Sequence, residues 1–318
     1  MKPSSSRSAS IAGLVMAAIG SATVLQDSEQ ESAAGDPERP IHTRIDLPSI
    51  AACGGCHLQV YKEWAQSLHR HAWTNANVRQ ATWDFKKRAC RACHSPQPVL
   101  PHSLEKAPEY RDFNQDDGVH CLSCHGLEDG VAATRTIEGA PCKPKFEPRL
   151  VGTRLCYPCH QPTHQAYDEY LASDAFAVGV RCIDCHMPRR KDAPGRSHGP
   201  HGGLNPEFIK KSFHWRCETT ADALLVTLRN RTGHKLPGEI PSRSLIVRVD
   251  YADDSTRYET LRRPAKTEDR KDNRLLPDEE RTLRFPLGAG VRRVQFLWKP
   301  YPVIPEENAF HLAEWTPE

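Results

Sequence analysis

Apolar residues are spread unevenly along the 318 positions of this chain. Lys2 and Arg7 precede an apolar run from Ile11 to Leu25, and polar sequence follows from Gln26. A basic head, a short apolar segment and the small residues Gly20-Ser21-Ala22 form the layout of a secretory signal over residues 1–26, with cleavage near Ala22. The run is short and rich in Ala, Gly and Ser for a bilayer span, and no later segment is apolar for long enough. Residues 27–48 are polar and hold Gly35, Pro37 and Pro40, a linker composition. Leu58, Tyr61, Trp64, Ala65 and Leu68 then recur at helical spacing, which predicts a helix with one apolar face, and a second helix is expected over 165–177. After Phe213 the texture changes. Residues 223–228, 244–249, 281–285 and 294–298 read as strands between Gly, Pro, Asn and Asp clusters, which predicts a small all-β sandwich over 216–318.

Between linker and strands, over residues 49–215, one motif recurs five times. Cys-x-x-Cys-His stands at Cys53, Cys56 and His57; at Cys90, Cys93 and His94; at Cys121, Cys124 and His125; at Cys156, Cys159 and His160; and at Cys182, Cys185 and His186. This is the attachment pattern of c-type haem: two thiols bond the porphyrin and the next imidazole ligates its iron. A zinc ribbon uses Cys-x-x-Cys but has no reason to place His after each second Cys. At the chain's own His frequency, chance would supply that His at roughly one site in twenty. A thioredoxin-like pair would occur once or twice, near a βαβ pattern. The expectation is five covalent haem c groups in a domain of short helices and loops packed around the porphyrins, followed by the sandwich. Haem attachment of this kind takes place outside the cytoplasm. With the signal, it predicts a periplasmic or extracellular location.

Formal net charge is only +3, so there is no bulk electrostatic case for nucleic acid. Methionine is nearly eliminated as a sixth iron ligand. Met1 and Met16 lie in the signal segment, and Met187 adjoins His186 and cannot reach the opposite face. The irons are then bis-His, or some stay open, and bis-His irons have lower potentials than Met/His ones. Eleven of the 16 histidines remain for five positions. Cys142 and Cys217 lie outside the motifs, as a disulfide or as two single buried thiols.

Further signatures resemble the multihaem cytochromes c with a cytochrome c-552/4 type domain. Trp64-Ala65-Gln66-Ser67-Leu68-His69 is similar to that family's Trp-x-x-Ser-x-His. Gly118-Val119-His120-Cys121 and Gly179-Val180-Arg181-Cys182 are similar to its Gly-Val-x-Cys approaches. His186-Met187-Pro188, Ser197-His198 with Gly202-Gly203 and Pro206-Glu207, and Thr232-Gly233-His234-Lys235-Leu236-Pro237-Gly238 resemble later family segments. The resemblance spans residues 50–300 and implies His69, His198 and His234 as distal iron ligands. His120 and His164 come next, with His102, His71, His201 and His214 in reserve. Many relatives carry a His shortly after a middle motif, where this chain has Leu127-Glu128-Asp129-Gly130.

Two functions follow. Five closely spaced low-potential haems suit an electron carrier between a donor and an acceptor protein, in which the chain fixes spacing, ligation and burial. The alternative is an oxidoreductase of a small nitrogen or sulfur compound, which needs one open iron. Pentahaem nitrite reductases use Cys-x-x-Cys-Lys at their active haem, and none occurs here. The surplus of His favours the carrier. The sandwich would dock a partner, supply His234, or serve self-assembly or a membrane-associated redox complex.

Overall fold

The computed structural model describes residues 50–161, 165–240, 243–265, 267–301 and 304–317. The expected signal and linker, and His164, lie outside the described residues. Helical structure comes in short pieces: α1 (Ile50–Cys56), α2 (Leu58–Ala65), α3 (Ala76–Ala81), α4 (Arg91–His94), α5 (Cys121–His125), α6 (Tyr157–His160), α7 (Ala166–Leu171), α8 (Asp174–Ala177), α9 (Cys182–His186) and α10 (Pro206–Ile209). Helices this short are not stable alone and need tertiary contacts and caps. Asn75 Oδ1 accepts from the Asn77 and Val78 amides to start α3, and Asn205 Oδ1 accepts from Phe208 N to start α10.

The expected helix over 165–177 is two helices. The Ser173 hydroxyl donates to Tyr170 O at 2.7 Å, where α7 ends, and accepts from Phe176 N at 3.3 Å, where α8 begins. A serine that bonds local backbone competes with the helix it interrupts.

Each attachment motif is one helical turn. Residues i, i+3 and i+4 share a helix face, so the turn presents both thiols and the imidazole on one side. After the third motif comes a small sheet of β1 (Gly126–Leu127), β2 (Gly130–Ala133) and β3 (Pro144–Phe146), in the order β1-β2-β3. The Leu127–Gly130 departure from the family pattern is the hairpin of that sheet, with Leu127 opposite Gly130.

From Phe213 the chain is strand: β4 (Phe213–Thr219), β5 (Ala223–Asn230), β6 (Ser244–Tyr251), β7 (Thr256–Arg262), β8 (Glu280–Pro286), β9 (Val291–Lys299) and β10 (Phe310–Trp315). They form two antiparallel sheets, β10-β9-β6-β7 and β4-β5-β8. One core joins the sheets: Leu224, Val226 and Leu228 from β5, Leu245, Val247 and Val249 from β6, and Val294, Phe296 and Trp298 from β9. The strand region thus begins at Phe213, three residues ahead of the expected boundary. The four expected strands lie in β5, β6, β8 and β9, while β4, β7 and β10 were not foreseen.

Candidate haem sites

The structure brings three motif histidines against three histidines from elsewhere. The ring centres of His160 and His69 are 6.3 Å apart, those of His125 and His198 6.3 Å, and those of His186 and His234 6.2 Å. With a metal–nitrogen bond of about 2.0 Å and the ring centre about 1.1 Å beyond the nitrogen, two imidazoles on opposite sides of one iron sit about 6.2 Å apart. The donor set is therefore the right size for an axially ligated porphyrin iron. Among the described residues no group of three or more His, Cys, Asp or Glu converges as a zinc site would require.

Tautomers give a second test of fit. The Nδ1 atoms of His94, His125 and His186 lie 2.8, 2.9 and 2.8 Å from the carbonyls of Ala72, Ala132 and His201. Those of His198 and His234 lie 3.0 and 3.1 Å from Arg196 O and Lys235 O. A carbonyl only accepts, so each Nδ1 carries the proton and each Nε2 keeps its lone pair for a metal. Burial also favours the neutral form of His69, His94, His125, His198 and His234. It lowers the pKa of His69 and His125, and it pulls His198 and His234 to about 4, helped by nearby His125 and His186 respectively.

His120, which the resemblance places among the ligands, makes local backbone contacts here. Its Nδ1 accepts from Leu122 N at 3.1 Å and Ser123 N at 3.2 Å, capping α5 at the third motif. The neutral ring then carries its proton on Nε2, the tautomer of a donor rather than a ligand. Burial and the nearby Arg111 charge pull its pKa to about 3, so it stays neutral. Arg111 is itself 1 % exposed and donates to carbonyls of Asn114 and Gly118, at 2.6 and 2.8 Å, and of Phe113. It thereby ties down the loop that leads into Cys121.

Of the reserves, His71 has Nε2 3.1 Å from Ala65 O and so protonated, and Arg231 donates to His214 Nε2 at 2.8 Å. His201 Nε2 meets the Ser197 hydroxyl at 2.9 Å, and His102 is exposed. Among the described residues neither His57 nor His94 faces a second imidazole; the Phe85 ring centre lies 5.5 Å from that of His94.

The three partner histidines are held by contacts that give the local signatures a physical meaning. Trp64 Nε1 donates to Val119 O at 2.9 Å, and Val119 N donates to His69 O at 2.8 Å. Gly118, at φ +57°, lets the chains close, because a Cβ there would stand 2.4 Å from His69 O. His198 N donates to Glu63 Oε2 at 2.8 Å, and Arg190 donates to the same carboxylate at 2.7 Å. Burial works against the Glu63 charge, but the Arg190 and His198 bonds outweigh it and hold its pKa at about 2. The His234 carbonyl accepts from Asn230 Nδ2 at 2.8 Å and Thr232 Oγ1 at 2.7 Å. Lys235 N then donates to Glu169 of α7 at 2.9 Å, fastening this loop of the strand region onto the helical one. Behind it Arg274, its side chain 1 % exposed, bonds Glu239 at 2.5 Å and Asp272 at 2.8 Å.

The thiols connect the motifs. Cys53 lies near Cys121, Cys93 near Cys159, and Cys156 near Cys182. None of the twelve cysteines forms a disulfide, Cys142 and Cys217 included. Cys217 packs in β4, where burial pushes its thiol up to about 12.

Helical turns that each carry two thiols and an imidazole, with opposed imidazoles beyond them, define the class of multihaem c-type cytochromes. One comparison supports that class over part of the chain, and a second concerns the fold alone. Residues 52–126 match the family model for cytochrome c554 and c-prime. The fold is similar to the crystal structure of a penta-haem cytochrome c552 from Thermochromatium tepidum, with a TM-score of 0.65 and 18 % identity over 85 % of this chain and 98 % of that one. No curated protein sequence matches.

Proposed function

We propose that this protein transfers electrons outside the cytoplasm through five covalently bound haem c groups, passing them between a donor and an acceptor protein. The observation that carries the reading is the set of three opposed imidazole pairs at 6.2–6.3 Å, each joining a motif histidine to one from elsewhere in the chain. In this reading His160 with His69, His125 with His198, and His186 with His234 would hold three haem irons. His57 and His94 would hold the other two. Bound haem supplies a one-electron iron couple whose potential the ligands and their surroundings tune. The chain supplies neutral imidazoles, their orientation through Nδ1, and proximity. The thiol contacts make motifs 1 and 3, 2 and 4, and 4 and 5 neighbours, so electrons need no diffusing intermediary between them. The five motifs agree with the penta-haem count of the structural relative. No helix among the described residues is long and apolar enough to cross a membrane.

Intact-mass measurement of the exported protein should show five haem additions. Electron paramagnetic resonance of the oxidised protein should show at least three low-spin irons; fewer than three would overturn the ligand pairs.

A further inference from the structure

A half-buried cation beside the fifth motif takes no part in the ligand pairs. Arg243 precedes β6, and its guanidinium carbon lies 5.8 Å from the centre of the Trp298 ring. Nε donates to Pro300 O at 3.3 Å. Among the described residues no acceptor takes the terminal nitrogens, and no carboxylate stands within ion-pair distance. Arginines close by in the fold do not share this condition, since Arg263 and Arg274 both pair with Glu239. Burial is deep enough to bring the Arg243 pKa down to about 10. A guanidinium taken out of water without an anion is costly, so a buried one is normally completed by a carboxylate or phosphate.

The surroundings say where that anion comes from. A Cβ on Gly203 would stand 2.7 Å from Arg243 Cζ and 2.8 Å from Nη1, so the 201–203 strip lies directly on the guanidinium. The same strip supplies His201 O to His186 Nδ1 at 2.8 Å, and Gly203 O accepts from Trp298 Nε1 at 2.9 Å. On another side is Gly238, whose Cβ would be 3.6 Å from Nη1, in the loop that also carries His234. Arg243 therefore stands between the two loops that hold His186 and His234. Haem brings two propionate carboxylates, and the planar guanidinium fork matches a carboxylate.

We propose that Arg243 binds a propionate of the haem attached at Cys182 and Cys185, anchoring it between His186 and His234 and keeping its potential up. The inference rests on the His186–His234 pairing. A fixed positive charge near the iron favours the reduced, less positive state, and its removal lowers the potential.

The test is spectropotentiometric titration of the full-length haem-loaded protein. Arg243→Gln should move one of five midpoints negative, with a reduction equilibrium constant on the order of tenfold lower, about 59 mV for a one-electron couple. Arg243→Lys, which keeps the charge, should move it less. Gly203→Ala, which displaces the guanidinium, should move the same component in the same direction, and it serves if Arg243→Gln fails to fold. Arg293→Gln, in β9 with its own partner Asp250, should move none. Five bound haems with unchanged midpoints in Arg243→Gln or Gly203→Ala would overturn the proposal, as would a shift in a component other than the one His234→Ala turns high-spin. If His234→Ala leaves every haem low-spin, the pairing itself fails. If it creates one high-spin haem while Arg243→Gln shifts nothing, only the Arg243 assignment fails.

Discussion

The strands from Phe213 onward and the helical turns before them bury their apolar groups in different ways. In the strand region one continuous core runs between two sheets, and Leu224, Val226, Leu245, Val247 and Phe296 are completely covered by neighbouring side chains. The helical region has only local clusters, such as the Trp73–Phe85 stack at 3.9 Å, and it leaves Leu58, Leu171, Phe176 and Val178 exposed. Its buried polar groups are committed to backbone: Arg111 to carbonyls, Ser95 to Arg111 O, His120 to two amides. A chain organised this way would let the proposed haems supply its apolar interior, while the sheets supply their own. The sheets would then be a stable platform, and the helical turns would depend on what they hold.

The largest expected effect tests that dependence. In full-length protein with all ten motif cysteines changed to Ala, hydrogen exchange should find residues 50–212 unprotected while 213–315 keep slow amides. Equal protection of both regions would break the contrast. Phe296→Ala should act on the other side. It empties a site between the sheets beside Trp215 and should cost about 3–5 kcal/mol in denaturant unfolding. The low-spin signal of the His160 and His125 irons should be unchanged, and its loss would show that the regions are not separable.

Replacing His69, His198 or His234 by Ala should each turn one haem from low to high spin, read by electron paramagnetic resonance, and leave the rest. His120→Ala should leave the spin states alone and cost about 1 kcal/mol as a lost cap. The last effect depends on pH and concerns Glu63. Its folded pKa of about 2 lies below the ordinary value near 4.3, so its contribution is complete above about pH 4.3 and is lost as the pH falls toward 2. Glu63→Gln should cost about 1–2 kcal/mol at pH 7 and almost nothing near pH 2. A pH-independent difference would mean that the carboxylate does not hold the His198 loop.

Much of this was legible in the sequence, for reasons that can be named. The attachment turns follow from a strictly local pattern, and β5, β6, β8 and β9 follow from apolar runs that the core demands. The strands β4 and β7 escaped because Phe213-His214-Trp215-Arg216 and Thr256-Arg257-Tyr258-Glu259 mix polar and charged residues at outward positions, which dilutes the apolar signal. His69, His198 and His234 were named from a resemblance, since spacing says nothing about which distant ring meets which. His120 looked like a ligand for the same reason. Its use as a cap depends on which ring nitrogen accepts the α5 amides, a matter of hydrogen bonding that residue type does not carry.

His234 sits in a loop between β5 and β6, while His186 ends α9 in the helical region. In a chain synthesised from its N-terminus, all five Cys-x-x-Cys-His motifs emerge before the segment that offers this imidazole. On the proposed pairing, ligation of the fifth iron through His234 would wait for the strands to fold. The optical spectrum of that one haem would then be a clock for maturation: high-spin until the C-terminal part of the molecule is built, low-spin when it is finished.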